Sequence, residues 1–340
     1  MLQQTGPVTV TRVSTETSAA LAARLSEAGC VFAEEEAALL MSEAGTMSAP
    51  GYADRLEEMV QRRIAGHPLE QILGWAEFCG LRVPVAPGVF VPRRRTELLA
   101  THAVQLLAAM TDSTAGAGQL AKTAPTVVEL CCGSGAVTLA IAAQTAASPT
   151  LFAVDFQPEA VERARLSLNG AATVLAGDLF SPLPGELPGR VDMVVANAPY
   201  IPTAQLPTLP HESRDYEPML TLDGGSDGLD VLRRIISAAP PWLRPGGYLL
   251  LECSRQQAKT VRHILTLHGF TPEIVRRKAT DATIAVGRRE LGAADAPGTA
   301  KPPGTAKPLG TVEPPGRAAS LGTAESLGTV EPLGTAASPE

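Results

Sequence analysis

Thr126-Val127-Val128-Glu129-Leu130-Cys131-Cys132-Gly133-Ser134-Gly135 is a short apolar run that ends in a loop of small residues, and a helical pattern begins near Ala136. Strand, glycine loop and helix in that order make the first unit of a nucleotide-type α/β fold. Glycines let the backbone approach a cofactor closely, and the start of the helix offers unpaired N–H groups to a carboxylate or hydroxyl. A lone Gly-x-Gly is more often an ordinary tight turn, so spacing has to decide. A second apolar run, Leu151 to Val154, ends in Asp155 about twenty residues past the loop, where a carboxylate accepts hydrogen bonds from ribose hydroxyls. Capping of the next helix is the other reading of Asp155. A third run, Thr173 to Ala176, delivers Gly177-Asp178-Leu179-Phe180, which sets Asp178 for an adenine amino group and Leu179 for its face.

A fourth strand, Val191 to Ala196, runs into Asn197-Ala198-Pro199-Tyr200. At the carboxyl end of a strand, this segment presents the Asn197 side-chain oxygen and the Ala198 carbonyl as two acceptors beside an aromatic face. Together they fit a planar NH2 group, whose two N–H donors fix the nitrogen's direction at about 0.5–1.5 kcal/mol net per neutral bond.

The chain has 340 residues, 45% hydrophobic and 19% charged, which is ample for one α/β core and a smaller domain. A formal net charge of −7 argues against broad attachment to phosphate backbones, so nucleic acid is not the expected partner. Cys30, Cys79, Cys131, Cys132 and Cys253 make neither a CxxC pair nor a disulfide framework, and no histidine spacing suits a metal. These features fit a reducing, cytoplasmic setting without a metal. No leader pattern or long apolar run points to a membrane, and a monomer is the default expectation.

Three regions are expected along the chain. Residues 1–77 hold amphipathic helices near Ala20–Leu25, Phe32–Met41 and Leu56–Ile64, which form a small bundle. Residues 78–290 alternate strands and helices, including a strand from Tyr248 to Glu252, a helix from Gln256 to His268 and a strand from Ala282 to Gly287, in keeping with a seven-stranded sheet. Residues 291–340 repeat a Gly-Thr-Ala relative every six residues, with glycines in step from Gly298 to Gly334. Its prolines and short length disfavour a β-helix and favour a disordered, solvated tail.

Further motifs bring a family into view: Pro68-Leu69-Glu70-Gln71-Ile72-Leu73-Gly74, Phe78-Cys79-Gly80-Leu81, Val91-Pro92-Arg93-Arg94-Arg95-Thr96-Glu97, Tyr216-Glu217-Pro218, Leu222-Asp223-Gly224-Gly225-Ser226-Asp227-Gly228-Leu229, and Leu243-Arg244-Pro245-Gly246-Gly247 before Leu251-Glu252. With Asn197 to Tyr200, they resemble the release-factor glutamine methyltransferases (HemK/PrmC type) over about residues 15 to 290. The resemblance implies a seven-stranded, Rossmann-like S-adenosylmethionine-dependent methyltransferase domain, a β-hairpin bearing the Pro-Arg segment and an N-terminal helical bundle that helps seat a protein substrate. Residue by residue, it places the cofactor on Glu129, Cys131, Cys132, Gly133, Ser134, Gly135, Asp155, Asp178 and Leu179, with Asn197 between cofactor and substrate. Asn197, Ala198, Pro199, Tyr200 and Arg93 are implied to hold the glutamine amide, and Arg93, Thr96 and Glu97 to close the pocket. Thr96 and Glu97 also read simply as the start of a helix.

The chemistry implied is methyl transfer to an amide nitrogen whose lone pair is delocalised, so orientation rather than a general base is the main resource. Several positions depart from the pattern. Ala198 replaces a proline, Arg94 and Arg95 stand where Pro and Glu are usual, and the closing Asp-x-x-Gly-x-x-Arg pattern is reduced at Thr280 to Thr283. Cys131 replaces a glycine and is expected to need a negative φ. These departures suggest a divergent relative acting on a glutamine in a release factor or another translation-related protein. An amino methyltransferase of nucleic acid explains the Asn-Ala-Pro-Tyr segment equally well, but predicts a flipped-base pocket and a basic stripe. A cofactor-binding module without catalysis is the third reading.

Overall fold

The computed structural model describes residues 17–113 and 124–290; the repeat region 291–340 lies outside the described residues. The described residues open with α1 (Ser18–Glu27), α2 (Ala33–Ala44), α3 (Tyr52–Ile64) and the short α4 (Leu69–Leu73). Leu21, Leu25, Ala37, Leu40, Leu56 and Val60 recur at helical spacing and bury against one another. The fourth helix lay beyond the sequence reading, because five residues are too few for a periodic pattern. A buried ion pair, Arg63 to Glu36 at 2.6 Å, crosses this bundle. A β-hairpin of β1 (Trp75–Phe78) and β2 (Leu81–Pro84) follows, then α5 (Glu97–Ser113).

The remaining elements are β3 (Thr126–Leu130), α6 (Ala136–Gln144), β4 (Thr150–Asp155), α7 (Pro158–Leu168), β5 (Thr173–Ala176), β6 (Val191–Ala196), α8 (His211–Tyr216), α9 (Asp230–Ala238), β7 (Leu243–Glu252), α10 (Ala258–Leu267), β8 (Phe270–Arg277) and β9 (Ala282–Arg289). Among the described residues, seven of the strands form one sheet in the order β5-β4-β3-β6-β7-β9-β8. The first five strands in that order run parallel, while β9 is antiparallel to both β7 and β8. This is the seven-stranded Rossmann-like sheet expected from the sequence. The sheet strand that the sequence did not reveal is β8.

Period-two alternation divides the core between the two faces of the sheet. Val128, Leu130, Val194, Ala196, Leu249 and Leu251 pack with α9 and α10 on one face. Val127, Met193, Val195 and Leu250 pack with α5 and α6 on the other, where Phe78 of the hairpin joins them. Sheet order also fixes where a ligand can bind. The chain winds outward from β3 through β4 to β5, then returns to place β6 on the other side of β3. A crevice opens outside the carboxyl ends of the strands where the winding reverses. Leu130 is in register with Ala196, so the turns that follow β3 and β6 flank that crevice.

Candidate active site

One cavity of about 530 Å³ occupies the crevice, and its wall includes Glu129, Cys131, Cys132, Gly133, Ser134, Asp155, Asn197, Ala198, Pro199, Tyr200, Arg93 and Thr96. The structure therefore brings together most of the residues singled out in the sequence. Gly135, Asp178 and Leu179 do not line it. Gly135 caps α6 at φ 76°, where a Cβ would come within 3.1 Å of Leu168. Asp178 is ion-paired with Arg234 at 2.5 Å, and Leu179 packs against the core in a left-handed conformation at φ 50°.

The loop after β3 is held by carboxylates. Asp155 Oδ2 accepts from the Gly133 N–H at 2.9 Å and Oδ1 accepts from the Gln157 N–H at 3.0 Å, so Asp155 steadies both the glycine loop and the start of α7. Each oxygen keeps further lone-pair capacity for hydroxyl donors. Glu129 points to the opposite face of β3 from Leu130, toward α6, where it accepts from the Thr138 N–H at 2.8 Å and from the Thr138 hydroxyl. Its full burial pushes its pKa up to about 7 against those bonds. Cys131 departs from expectation, because its φ is 54°. The negative φ thought necessary there is not adopted; the left-handed backbone costs a non-glycine residue about 1–2 kcal/mol and is retained by the surrounding turn. Burial raises the thiol pKa of both Cys131 and Cys132, so neither is an activated nucleophile.

Glu129 also sets a pH dependence of stability. A folded-state pKa above the unfolded value means that the folded chain holds a proton that the unfolded chain releases. The stability linked to this group is thus fully present below about pH 4.5 and is lost as pH rises toward about 7, amounting to at most about 3 kcal/mol. Urea unfolding of the cofactor-free protein should show a midpoint that falls from pH 5 to pH 8, with a shallower fall in Glu129→Gln. An identical slope in that variant would contradict the assignment.

The turn after β6 is over-determined by hydrogen bonds. Asn197 Nδ2 donates to Thr96 Oγ1 at 3.2 Å. Beside it, Glu252 Oε1 accepts from the Tyr200 hydroxyl at 3.1 Å. With the Asn197 amide nitrogen donating, Thr96 Oγ1 is the acceptor of their bond. Asn197 Oδ1 is thereby left free, without a hydrogen bond among the described residues, on the wall of the cavity. Ala198 is buried in the core and Gln257 Nε2 donates to the Tyr200 carbonyl at 2.8 Å, so the backbone between them is fixed.

Glu252 escaped the sequence reading as a site residue. It is 2% exposed, its Oε2 has no partner among the described residues, and burial raises its pKa. An acid at the end of an otherwise apolar strand was the available signal. Phe156, 55% exposed beside Asp155 on the cavity wall, was also missed.

The cavity's far wall comes from the chain after Tyr200, including Leu209, Glu212, Ser213 and Leu222. Arg93 secures it. Its Nη2 donates to Glu217 Oε2 at 2.5 Å and to Ser213 Oγ at 3.3 Å, while the Val91 N–H donates to Glu217 Oε1 at 3.0 Å. Arg63 of α3 reaches Glu212 at 2.5 Å, and the Tyr216 hydroxyl donates to the Ala65 carbonyl at 3.0 Å, which ties α8 to the helical bundle. No group of metal-binding side chains occurs among the described residues, and no helix among them is long and apolar enough to cross a membrane.

Residues 127–215 match the family described as Methyltransferase domain. The chain is 40% identical over 215 residues to a release factor glutamine methyltransferase of Geobacter sulfurreducens, covering 62% of this chain and 69% of that relative. It is 37% identical over 252 residues to the release factor glutamine methyltransferase of Streptomyces coelicolor, covering 72% and 85%. A 4-amino-L-phenylalanine/4-methylamino-L-phenylalanine methyltransferase of Streptomyces pristinaespiralis is 36% identical, covering 63% and 70%. With relatives of this identity matched over more than two thirds of their own length, the resemblance read from the motifs holds across the catalytic sheet, and the chain belongs to the release factor glutamine methyltransferase family.

Proposed function

We propose that this protein transfers a methyl group from S-adenosylmethionine to the side-chain amide nitrogen of a glutamine in a peptide chain release factor, as a cytoplasmic enzyme. The observation that carries this reading is the Asn197 amide, whose nitrogen is committed to Thr96 and whose oxygen is free on the wall that also holds Gly133 and Asp155.

The residues fit the cofactor. A cavity of about 530 Å³ is in the range of small-molecule sites, Asp155 has spare acceptor capacity for ribose hydroxyls, and Gly133 has open space where a side chain would otherwise stand. Glu129 beneath the loop favours a cationic ligand once ionised. When bound, the cofactor supplies an electrophilic methyl group on a sulfonium. The chain's own residues do the rest. Asn197 Oδ1 and the Ala198 carbonyl accept the two N–H bonds of the glutamine amide and aim its nitrogen, while Tyr200 flanks the flat group. The nitrogen becomes acidic only as it is alkylated, so its surplus proton leaves to Asn197, a carbonyl or water without a dedicated base. Residues 17–77 serve as the substrate-seating part, in keeping with the links from Arg63 and Ala65 to α8.

Incubation with labelled S-adenosylmethionine and purified release factors, followed by mass mapping, tests the assignment. Label on a glutamine side chain is expected; label on RNA alone would overturn it. Glu252 enters as a positioning residue beneath Thr96 and Tyr200. Glu252→Ala is expected to lower kcat by about tenfold or more while cofactor Kd stays within about threefold, with partial rescue in Glu252→Gln, which keeps an acceptor for the Tyr200 hydroxyl. Equal losses in kcat and cofactor affinity would show a merely structural role.

A further inference from the structure

Beside the mouth of the active-site cavity lies a second one of about 490 Å³, lined by Arg93, Arg94, Arg95, Ala279 and Thr280. Arg93 and Arg95 line both cavities, so the two adjoin. Arg95 precedes Thr96 in the chain and shares the wall of the active-site cavity with Asn197 and Tyr200, which ties this basic surface to the acceptor side of the catalytic site. Arg94, Arg95 and Lys278 are exposed, and none forms an ion pair among the described residues. Lys278 opens the same turn as Ala279 and Thr280. A cationic cluster without ion pairs is conspicuous in a chain whose net charge is −7, since most other arginines near the site are matched to carboxylates.

The form of the cluster selects the partner. Guanidinium groups present planar forks that match carboxylates two bonds at a time. The patch is confined to one turn on each side of a small cavity, whereas a nucleic-acid backbone requires a run of contacts and would meet the acidic balance of the rest of the chain. We propose that the juxtaposed Arg94, Arg95 and Lys278 form a docking surface for an acidic segment of the acceptor protein, positioned next to the glutamine that enters the Asn197 pocket. This rests on the amide methyl transfer proposed above. It adds a specificity element: an acceptor with carboxylates close to its methylated glutamine in space is held at the mouth while the amide is oriented inside.

The test compares the full chain with Arg94→Glu/Lys278→Glu, both exposed positions at which charge reversal leaves the core untouched; matching melting curves confirm that the variant folds. A fluorescein-labelled peptide with four glutamates is titrated by anisotropy, and the acceptor KM is measured on an intact release factor. The wild type should bind the peptide in a salt-sensitive manner, the variant at least about tenfold more weakly, and the acceptor KM should rise at least about tenfold with kcat changed less than about twofold. Equal peptide binding by the two proteins, or an unchanged acceptor KM, overturns the proposal. So does binding of a single-stranded RNA 20-mer that is tighter than the peptide and is lost in the variant. A wild type that binds the peptide through these residues but labels no glutamine refutes the amide methyl transfer and not the acidic-peptide site, so the two failures are distinct.

Discussion

Asn197→Ala should reduce kcat by about a hundredfold or more while leaving the Kd for S-adenosylmethionine within about fivefold, the scale expected when an oriented encounter is lost. The free Oδ1 is removed, and with it one of two acceptors for the entering amide. Thr96 loses only the neutral donor that had held Asn197 in place, and the Tyr200 hydroxyl keeps its bond to Glu252. The glycine loop and Asp155 are joined by the Gly133 hydrogen bond, which does not involve Asn197, so the cofactor half of the cavity is preserved. Single-turnover rates and cofactor titrations on the same preparation separate the two effects. A parallel collapse of cofactor affinity would mean that Asn197 supports the fold of the site rather than the acceptor.

The second large effect is expected at a glycine that touches neither ligand. Gly228 lies at φ 75°, and a Cβ there would stand 2.3 Å from the Tyr200 carbonyl oxygen and 2.5 Å from Gln257 Nε2. Those two groups are hydrogen-bonded to each other, so the intruding methyl would break the bond that fixes the backbone after Ala198. Ile201 is pinned by the same loop through Leu222 and Gly224, which leaves no direction for the turn to yield. Gly228→Ala should therefore destabilise the protein by about 3 kcal/mol or more, through backbone strain and overlap together. It should also abolish methyl transfer in whatever fraction stays folded. Gly133→Ala is the control: at φ 54° it carries similar backbone strain, but a Cβ there meets nothing within 4 Å. Its cost should stay near about 1–2 kcal/mol. Equal thermal unfolding of the two variants would remove the overlap argument.

The parts of the fold that were legible are those where burial writes itself into composition. β3 and β6 coincide with the apolar runs read at Thr126–Leu130 and Val191–Ala196, because central parallel strands covered on both faces leave little room for polar residues. The strand β8 was hidden for the opposite reason. Lying at the sheet edge, Phe270–Arg277 carries Pro272, Glu273, Arg276 and Arg277, a composition that suits an exposed edge and looks like a loop. β7 begins at Leu243 rather than at Tyr248, since Gly246 and Gly247 read as a turn while the pairing with β6 already starts at Val191.

Within the candidate site, the segments were legible but their wiring was not. Thr96 was read both as part of pocket closure and as a helix start, and it occupies the turn that leads into α5 while accepting from Asn197. Glu252 lies about 50 residues from Tyr200 and far from Thr96 in the chain, and only the sheet order that places β7 beside β6 brings the three groups together. The left-handed backbone at Cys131 has no signature in a cysteine side chain, because it follows from the tightness of a turn made by its neighbours.

In the proposed reaction, two acceptors in the turn after β6, Asn197 Oδ1 and the Ala198 carbonyl, grip an amide NH2 and point its nitrogen at the cofactor's methyl position. A crystal structure of the protein with S-adenosylhomocysteine and a release factor tests this most directly. One glutamine side chain is expected inside the cavity, its nitrogen within hydrogen-bonding distance of both acceptors and facing the homocysteine sulfur beside Gly133 and Asp155. A glutamine bound elsewhere, or an Asn197 oxygen engaged by the cofactor while the acceptor amide is held by other groups, would contradict it.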